Sequence, residues 1–137
     1  MDGGHTNYAV LLPSQLILGN VKGARDASLL DALHVGAVVN LILYEEGHVP
    51  ASDKPSHIEQ WLHCPVEDRP RTDLASWAPR VGQWIHERVA EGCVVYVHCS
   101  QGVSRAPSAC IYYVSVLSLA LSIFCSWNLL LKVDALS

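Results

Sequence analysis

Cys93-Val94-Val95-Tyr96-Val97-His98-Cys99-Ser100-Gln101-Gly102-Val103-Ser104-Arg105 begins as a compact apolar run and ends in small and polar residues around one glycine. The β-branched and aromatic stretch predicts a strand buried on both faces. The residues after it have the layout of a turn opening into a helix, which aims several backbone N–H groups at one point where the helix dipole also favours an anion. Gly102 permits the tight turn and a close backbone approach, and Arg105 offers a planar fork for two phosphate oxygens. Cys99 sits at the focus of the same field, which favours a nucleophilic thiolate. A lone cysteine at a strand end is ordinarily just a small buried residue. Nucleophile, turn glycine, hydroxyl and guanidinium in one short loop after an apolar strand point instead to phosphate binding and covalent chemistry.

Upstream, Tyr8 to Leu12 and Gln15 to Leu18 read as two short strands broken by Pro13 and closed by Gly19, forming a sheet edge. Asp26 caps a helix through Leu29, Leu30 and Leu33, which Gly36 is expected to stop. Ala37 to Leu43 predicts a second buried strand, residues 44–56 a mobile loop, and Ile58 to Val66 a further strand ending in the polar stretch Glu67-Asp68-Arg69-Pro70-Arg71-Thr72-Asp73. Leu74, Trp77, Val81, Trp84, Ile85 and Arg88 recur at helical spacing, with Ser76 or Asp73 as cap. Pro79 fits such a helix best if it starts near Ser76, where first-turn amides lack intrahelical partners. Gly92 ends it. Strands alternating with helices predict one α/β domain over residues 1–137, with a central, mostly parallel twisted sheet flanked by helices.

At 137 residues and 50% hydrophobic, the chain can close a single core. Its 13 acidic and 9 basic side chains leave a formal charge of -4, which argues against a nucleic-acid partner held through phosphate contacts. The start, Met1-Asp2-Gly3-Gly4-His5, has no basic region leading into an apolar run, and Asp2 displaces the glycine that myristoylation requires. Five widely spaced cysteines (Cys64, Cys93, Cys99, Cys110, Cys125) contain no C-x-x-C pair, which suggests neither a disulfide framework nor a zinc site and fits a reducing cytoplasmic or nuclear setting. Cys64 and Cys110 are expected to be buried and inert rather than redox partners of Cys99. Nothing in the sequence sets the oligomeric state.

The string His-Cys-x-x-Gly-x-Ser-Arg resembles the signature of the dual-specificity branch of the cysteine-dependent protein tyrosine phosphatases. Gln15-Leu16-Ile17-Leu18-Gly19-Asn20, the strand through Val39-Asn40-Leu41, and Asp68 ahead of Leu74 look like further landmarks of that family, so the resemblance covers about residues 8 to 113. It implies hydrolysis of phosphotyrosine and of phosphoserine or phosphothreonine in proteins through a phosphocysteine intermediate, with no metal and no organic cofactor. By that resemblance Cys99 is the nucleophile, the amides of Ser100, Gln101, Gly102, Val103, Ser104 and Arg105 cradle the phosphate, and Arg105 stabilises the transition state. His98 orients the loop, and Asp68 is the general acid. Phosphoinositide enzymes of the superfamily tend to carry lysines in this loop, whereas Ser100, Gln101, Val103 and Ser104 are uncharged, which favours a protein substrate over a lipid.

Two departures stand out. Relatives mostly place a serine or threonine after the loop arginine to help the sulfur leave; this chain has Ala106, which predicts slow hydrolysis of the intermediate. From Ala106 to Leu131 there is no charged residue, and Ser115, Ser118, Ser122 and Ser126 recur at helical spacing. Ile111 to Leu131 is long enough to span a bilayer, but its serines and Asn128 weigh against it, and a buried core helix extended by a second short helix is the preferred expectation. An altered chain end that leaves the domain incomplete, and with it an impaired phosphate-binding module in place of an enzyme, is the competing reading.

Overall fold

The strand read from Val94 to Val97 lies at the centre of a five-stranded sheet. The computed structural model describes residues 8–43, 54–67, 73–100 and 105–136. In chain order the elements are β1 (Tyr8–Leu12), β2 (Leu16–Gly19), α1 (Val21–Ala24), α2 (Ala27–Ala32), β3 (Val35–Asn40), β4 (Gln60–His63), α3 (Leu74–Ala90), β5 (Val94–His98) and α4 (Arg105–Leu136). The sheet order is β1-β2-β5-β3-β4. β1 runs antiparallel to β2, while β2, β5, β3 and β4 are mutually parallel. The sheet is thus mostly parallel, with β1 as its antiparallel edge and β2 inside it.

Alternation along the central strands divides the core in two. Val95 and Val97 of β5, with Ala37 and Val39 of β3, face a cluster containing Trp77, Ala78, Val81 and Ile85 of α3 and Ala106, Ala109, Cys110 and Tyr113 of α4. Val94 and Tyr96, with Val38, face the opposite cluster, which holds Ala24 of α1 and Leu30 of α2. Each buried aliphatic side chain contributes about 1.5–3 kcal/mol, so a strand covered on both faces anchors the fold more than an edge strand can.

Helix ends follow their side chains. Asp26 Oδ1 accepts the Leu29 N–H at 3.0 Å and starts α2, as its position predicts. The helix stops earlier than expected, at Ala32; His34 takes the left-handed turn (φ 58), and Gly36 already belongs to β3. α3 is capped by Asp73, whose Oδ1 accepts the Ala75 N–H at 3.0 Å, while Ser76 Oγ donates to the Asp73 carbonyl at 2.6 Å. Pro79 therefore sits inside the helix rather than in its first turn, on an exposed face, and gives up the bond its nitrogen would make to the Ala75 carbonyl. Gly92 (φ 87) ends α3 in a Schellman arrangement: its N–H donates to Val89 O at 3.0 Å and that of Cys93 to Arg88 O at 3.0 Å.

The expected pair of helices after the loop is instead one continuous helix, α4, of 32 residues. Its first turns are buried against the sheet and α3. Beyond Leu117 every residue whose side chain is described is exposed except the half-buried Asn128. The preferred expectation of a buried core helix therefore fails for most of its length.

Candidate active site

Parallel strands end together, and here they end around the loop. In register across the sheet, Gly19, His98, Asn40 and His63 stand side by side at the carboxyl ends of β2, β5, β3 and β4. Open parallel sheets bind ligands at this edge, because backbone N–H groups and helix N-termini converge there. Cys99 follows β5 directly and is 2% exposed. Bonds from both neighbours fix the chain around it: the Leu41 N–H donates to His98 O at 3.0 Å and the Val21 N–H to Ser100 O at 3.2 Å. Gln101, Gly102, Val103 and Ser104, the apex of the loop, and Asp68, the expected general acid, lie outside the described residues.

Arg105 opens α4 and is 5% exposed. A guanidinium this deep is tolerated only when its N–H groups find acceptors, and its Nη1 donates to the Val66 carbonyl at 2.9 Å. That bond ties Arg105 to the segment that follows β4. Cys64 N–H to Asn40 O (2.9 Å) and Val66 N–H to Leu41 O (3.2 Å) lay the same segment against the end of β3. The Val66 contact was invisible in the sequence, because a backbone carbonyl carries no residue signature.

His98 is fully buried, with Nδ1 3.3 Å from the Cys99 carbonyl and Nε2 without a hydrogen-bond partner among the described residues. A carbonyl can only accept, so Nδ1 carries the proton. Burial pulls the imidazole down to about 4, opposed by the bond to Cys99, so the ring is neutral near pH 7. The ring packs against Trp61 (centroids 6.4 Å apart, edge-on) and Tyr96 (6.1 Å).

A second brace ties β5 to the turn between β2 and α1. Tyr96 Oη donates to the Asn20 carbonyl at 2.9 Å, and Asn20 Oδ1 accepts the Gly23 N–H at 3.0 Å to start α1. Gly19 is required here, since a Cβ would collide with the Tyr96 phenol ring and its oxygen. Asn40, buried among apolar neighbours, turns its Oδ1 to the Ile42 N–H at 2.9 Å and shapes the exit from β3. A single polar residue in an otherwise apolar strand was the available clue to that role.

A cysteine directly after the central strand and a buried arginine at the next helix start frame the site, and comparison with known proteins gives the family. Residues 16–119 match the family described as dual specificity phosphatase, catalytic domain. The chain belongs to this family. It is 35% identical over 102 residues to dual specificity protein phosphatase 4 of Gallus gallus, covering 72% of this chain and 24% of the relative. To dual specificity protein phosphatase 1 of Mus musculus it is 32% identical over 103 residues, 73% of this chain and 26% of that one. The chain thus spans about a quarter of the length of these curated relatives. Among solved structures, DUSP15 superposes with a TM-score of 0.69 at 24% identity, over 82% of this chain and 67% of that chain. The human tyrosine phosphatase-like serine/threonine/tyrosine-interacting protein gives 0.64 at 23% identity, over 78% and 71%. At those identities the likeness concerns the fold. The match to the dual specificity phosphatase family stops at Leu119, inside α4, so the remainder of that helix lies outside the matched residues.

Proposed function

We propose that this chain is a cysteine-dependent protein phosphatase that removes phosphate from phosphotyrosine and from phosphoserine or phosphothreonine side chains. The observation that carries the proposal is the placement of Cys99 and Arg105 at the two ends of one short loop, the first at the end of β5 and the second at the start of α4. In the first step the Cys99 sulfur attacks phosphorus, an S–P bond forms, and the ester P–O bond breaks. Asp68 gives its proton to the departing oxygen. Arg105 and the backbone amides from Ser100 to Arg105 hold the equatorial oxygens, where negative charge gathers. In the second step water attacks phosphorus, Asp68 takes up its proton, and the S–P bond breaks to release inorganic phosphate and restore the thiolate. His98 is a positioning residue: it holds the Cys99 carbonyl and with it the start of the loop.

Hydrolysis of para-nitrophenyl phosphate by the full chain tests this reading. The wild type is expected to turn over, Cys99→Ser to lose at least about a thousandfold in rate, and Asp68→Ala about a hundredfold. A wild type without turnover, or a Cys99→Ser variant that keeps its rate, overturns it. A second reading rests on Ala106, fully buried in the first turn of α4 where relatives supply a hydroxyl. On that reading the protein binds phosphorylated residues and releases product slowly or not at all, and its signature is retention of a phosphotyrosine peptide without release of phosphate.

A further inference from the structure

α4 carries no charged side chain between Arg105 and Lys132. This 28-residue stretch is long and apolar enough to cross a membrane, and its most apolar window is not buried in the domain at all. Core helices of soluble proteins have the same length and composition because they are buried; this one is buried only in its first turns and bare beyond Leu117. Its large side chains are exposed on every side rather than along one stripe. Leu129, Leu130 and Leu131 follow one another around the axis by about 100° each, all exposed, and Ile123, Phe124 and Trp127 are 62, 64 and 60% exposed between them and the domain.

A protein partner covers a stripe. The groove between α3 and α4, of about 390 Å³ and lined by Pro79, Gly82, Tyr112, Val116, Leu117 and Ala120, could seat one, but it ends where the bare stretch begins. An occupant there leaves residues 123–131 in water. The serines at 118, 122 and 126 mark one weakly polar face, and large apolar side chains cover the rest of the circumference; a surface that wide is covered by lipid, in which serine hydroxyls can bond back to the helix's own carbonyls. From Ser118, where packing against α3 and the sheet has ended, to Leu131 the helix rises about 20 Å, enough to reach deep into a hydrocarbon core about 30 Å thick. The one amide in the run is satisfied within the helix, since Asn128 Nδ2 donates to the Phe124 carbonyl at 2.8 Å, as hydrocarbon demands of any polar group. Lys132 comes directly after the run, where its ammonium can reach a headgroup layer.

We propose that the exposed length of α4, residues 118–131, inserts into a lipid bilayer, with the rest of the domain seated directly on the membrane surface and no linker between them. The end of α4 that holds Arg105 points away from the lipid, so the phosphate loop opens toward solvent-borne or juxtamembrane phosphorylated proteins and away from lipid headgroups.

The test uses the full chain and neutral phosphatidylcholine vesicles. Flotation in a density gradient, before and after a sodium carbonate wash, reads insertion. The accessibility of Cys125, exposed in the middle of the run, reads depth through a membrane-impermeant maleimide located by peptide mass. The chain is expected to float after carbonate, with Cys125 labelled at least about tenfold more slowly with vesicles than without. The double variant L119R/I123R, whose changes lie on the exposed surface, is expected to partition at least about a hundredfold less. Protein that stays at the bottom of the gradient overturns the proposal. So does floating protein that carbonate releases with Cys125 still labelled, which is a helix lying on the surface. Protection of Cys125 without vesicles, at the mass of two chains, assigns the apolar face to a second copy and overturns it equally. None of these readouts depends on turnover, so the phosphatase reading stands or falls separately.

Discussion

The two halves of α4 share one backbone ladder and little else. From Arg105 to Tyr113 the helix is part of the catalytic domain: Arg105, Ala106, Ala109, Cys110 and Tyr113 are buried, and the first residue reaches back to Val66. From Ile123 to Leu131 the large apolar side chains are at least about half exposed. Apolarity is common to both halves, so composition does not distinguish them. What differs is whether the rest of the chain supplies a surface to cover them. In the first half, position is fixed by packing and by the Val66 contact; in the second, only the surroundings matter.

The sharpest way to separate the halves is at their catalytic end. Arg105→Lys keeps the charge but loses the fork, and is expected to lower kcat on para-nitrophenyl phosphate by about 100- to 1,000-fold. A smaller loss would mean that the guanidinium serves the Val66 contact more than the phosphate. Next in size is an aromatic pair on the same helix. Tyr113→Ala, which empties a buried site, should cost about 3 kcal/mol in urea unfolding. Phe124→Ala, removing a side chain that is 64% exposed, should cost less than about 0.5 kcal/mol under the same conditions in mild detergent. Equal costs would erase the contrast.

A third test uses the buried histidine behind the near half. The His98 imidazole falls from an ordinary 6.5 to about 4 on folding, so between those values the unfolded chain binds the extra proton. Stability contributed by the neutral ring is complete above pH 6.5 and is lost as pH falls toward 4. Unfolding free energy is therefore expected to drop by about 2 kcal/mol from pH 7 to pH 5, and His98→Gln should remove most of that slope. The smallest effect belongs to Ala106→Ser. The added hydroxyl is expected to speed release of the cysteine sulfur, raising turnover about tenfold and shrinking any initial burst of phenol. An unchanged burst would place the slow step elsewhere.

Much of the near half was legible in the letters. Val94 to Val97 reads as a buried strand because β-branched and aromatic residues follow one another without a polar break, and the family reads from the short string that joins Cys99, Gly102 and Arg105. Asp26 and Gly92 announced their caps by side-chain chemistry and by backbone freedom. Pro79 misled, since its cost in a helix is small enough for Trp77, Val81 and Ile85 to override once they pack on the sheet. Gly36 misled for a related reason: His34 made the turn that a glycine makes more cheaply. The fate of α4 was the least legible, because the apolar pattern of a core helix and of an uncovered one is the same until the neighbouring surface is known.

The absence of any break in α4 makes it a ruler. Over 32 residues at 1.5 Å each it measures about 48 Å, with Arg105 at its zero mark. A flexible tether would let the site sample every height within its reach; a rod assigns it one. Whatever grips the far end therefore sets, by height alone, how far the start of α4 and Cys99 stand from it. Inserting a single residue near Val114 would shift that scale by about 1.5 Å and turn the far end by about 100° without altering one atom of the site.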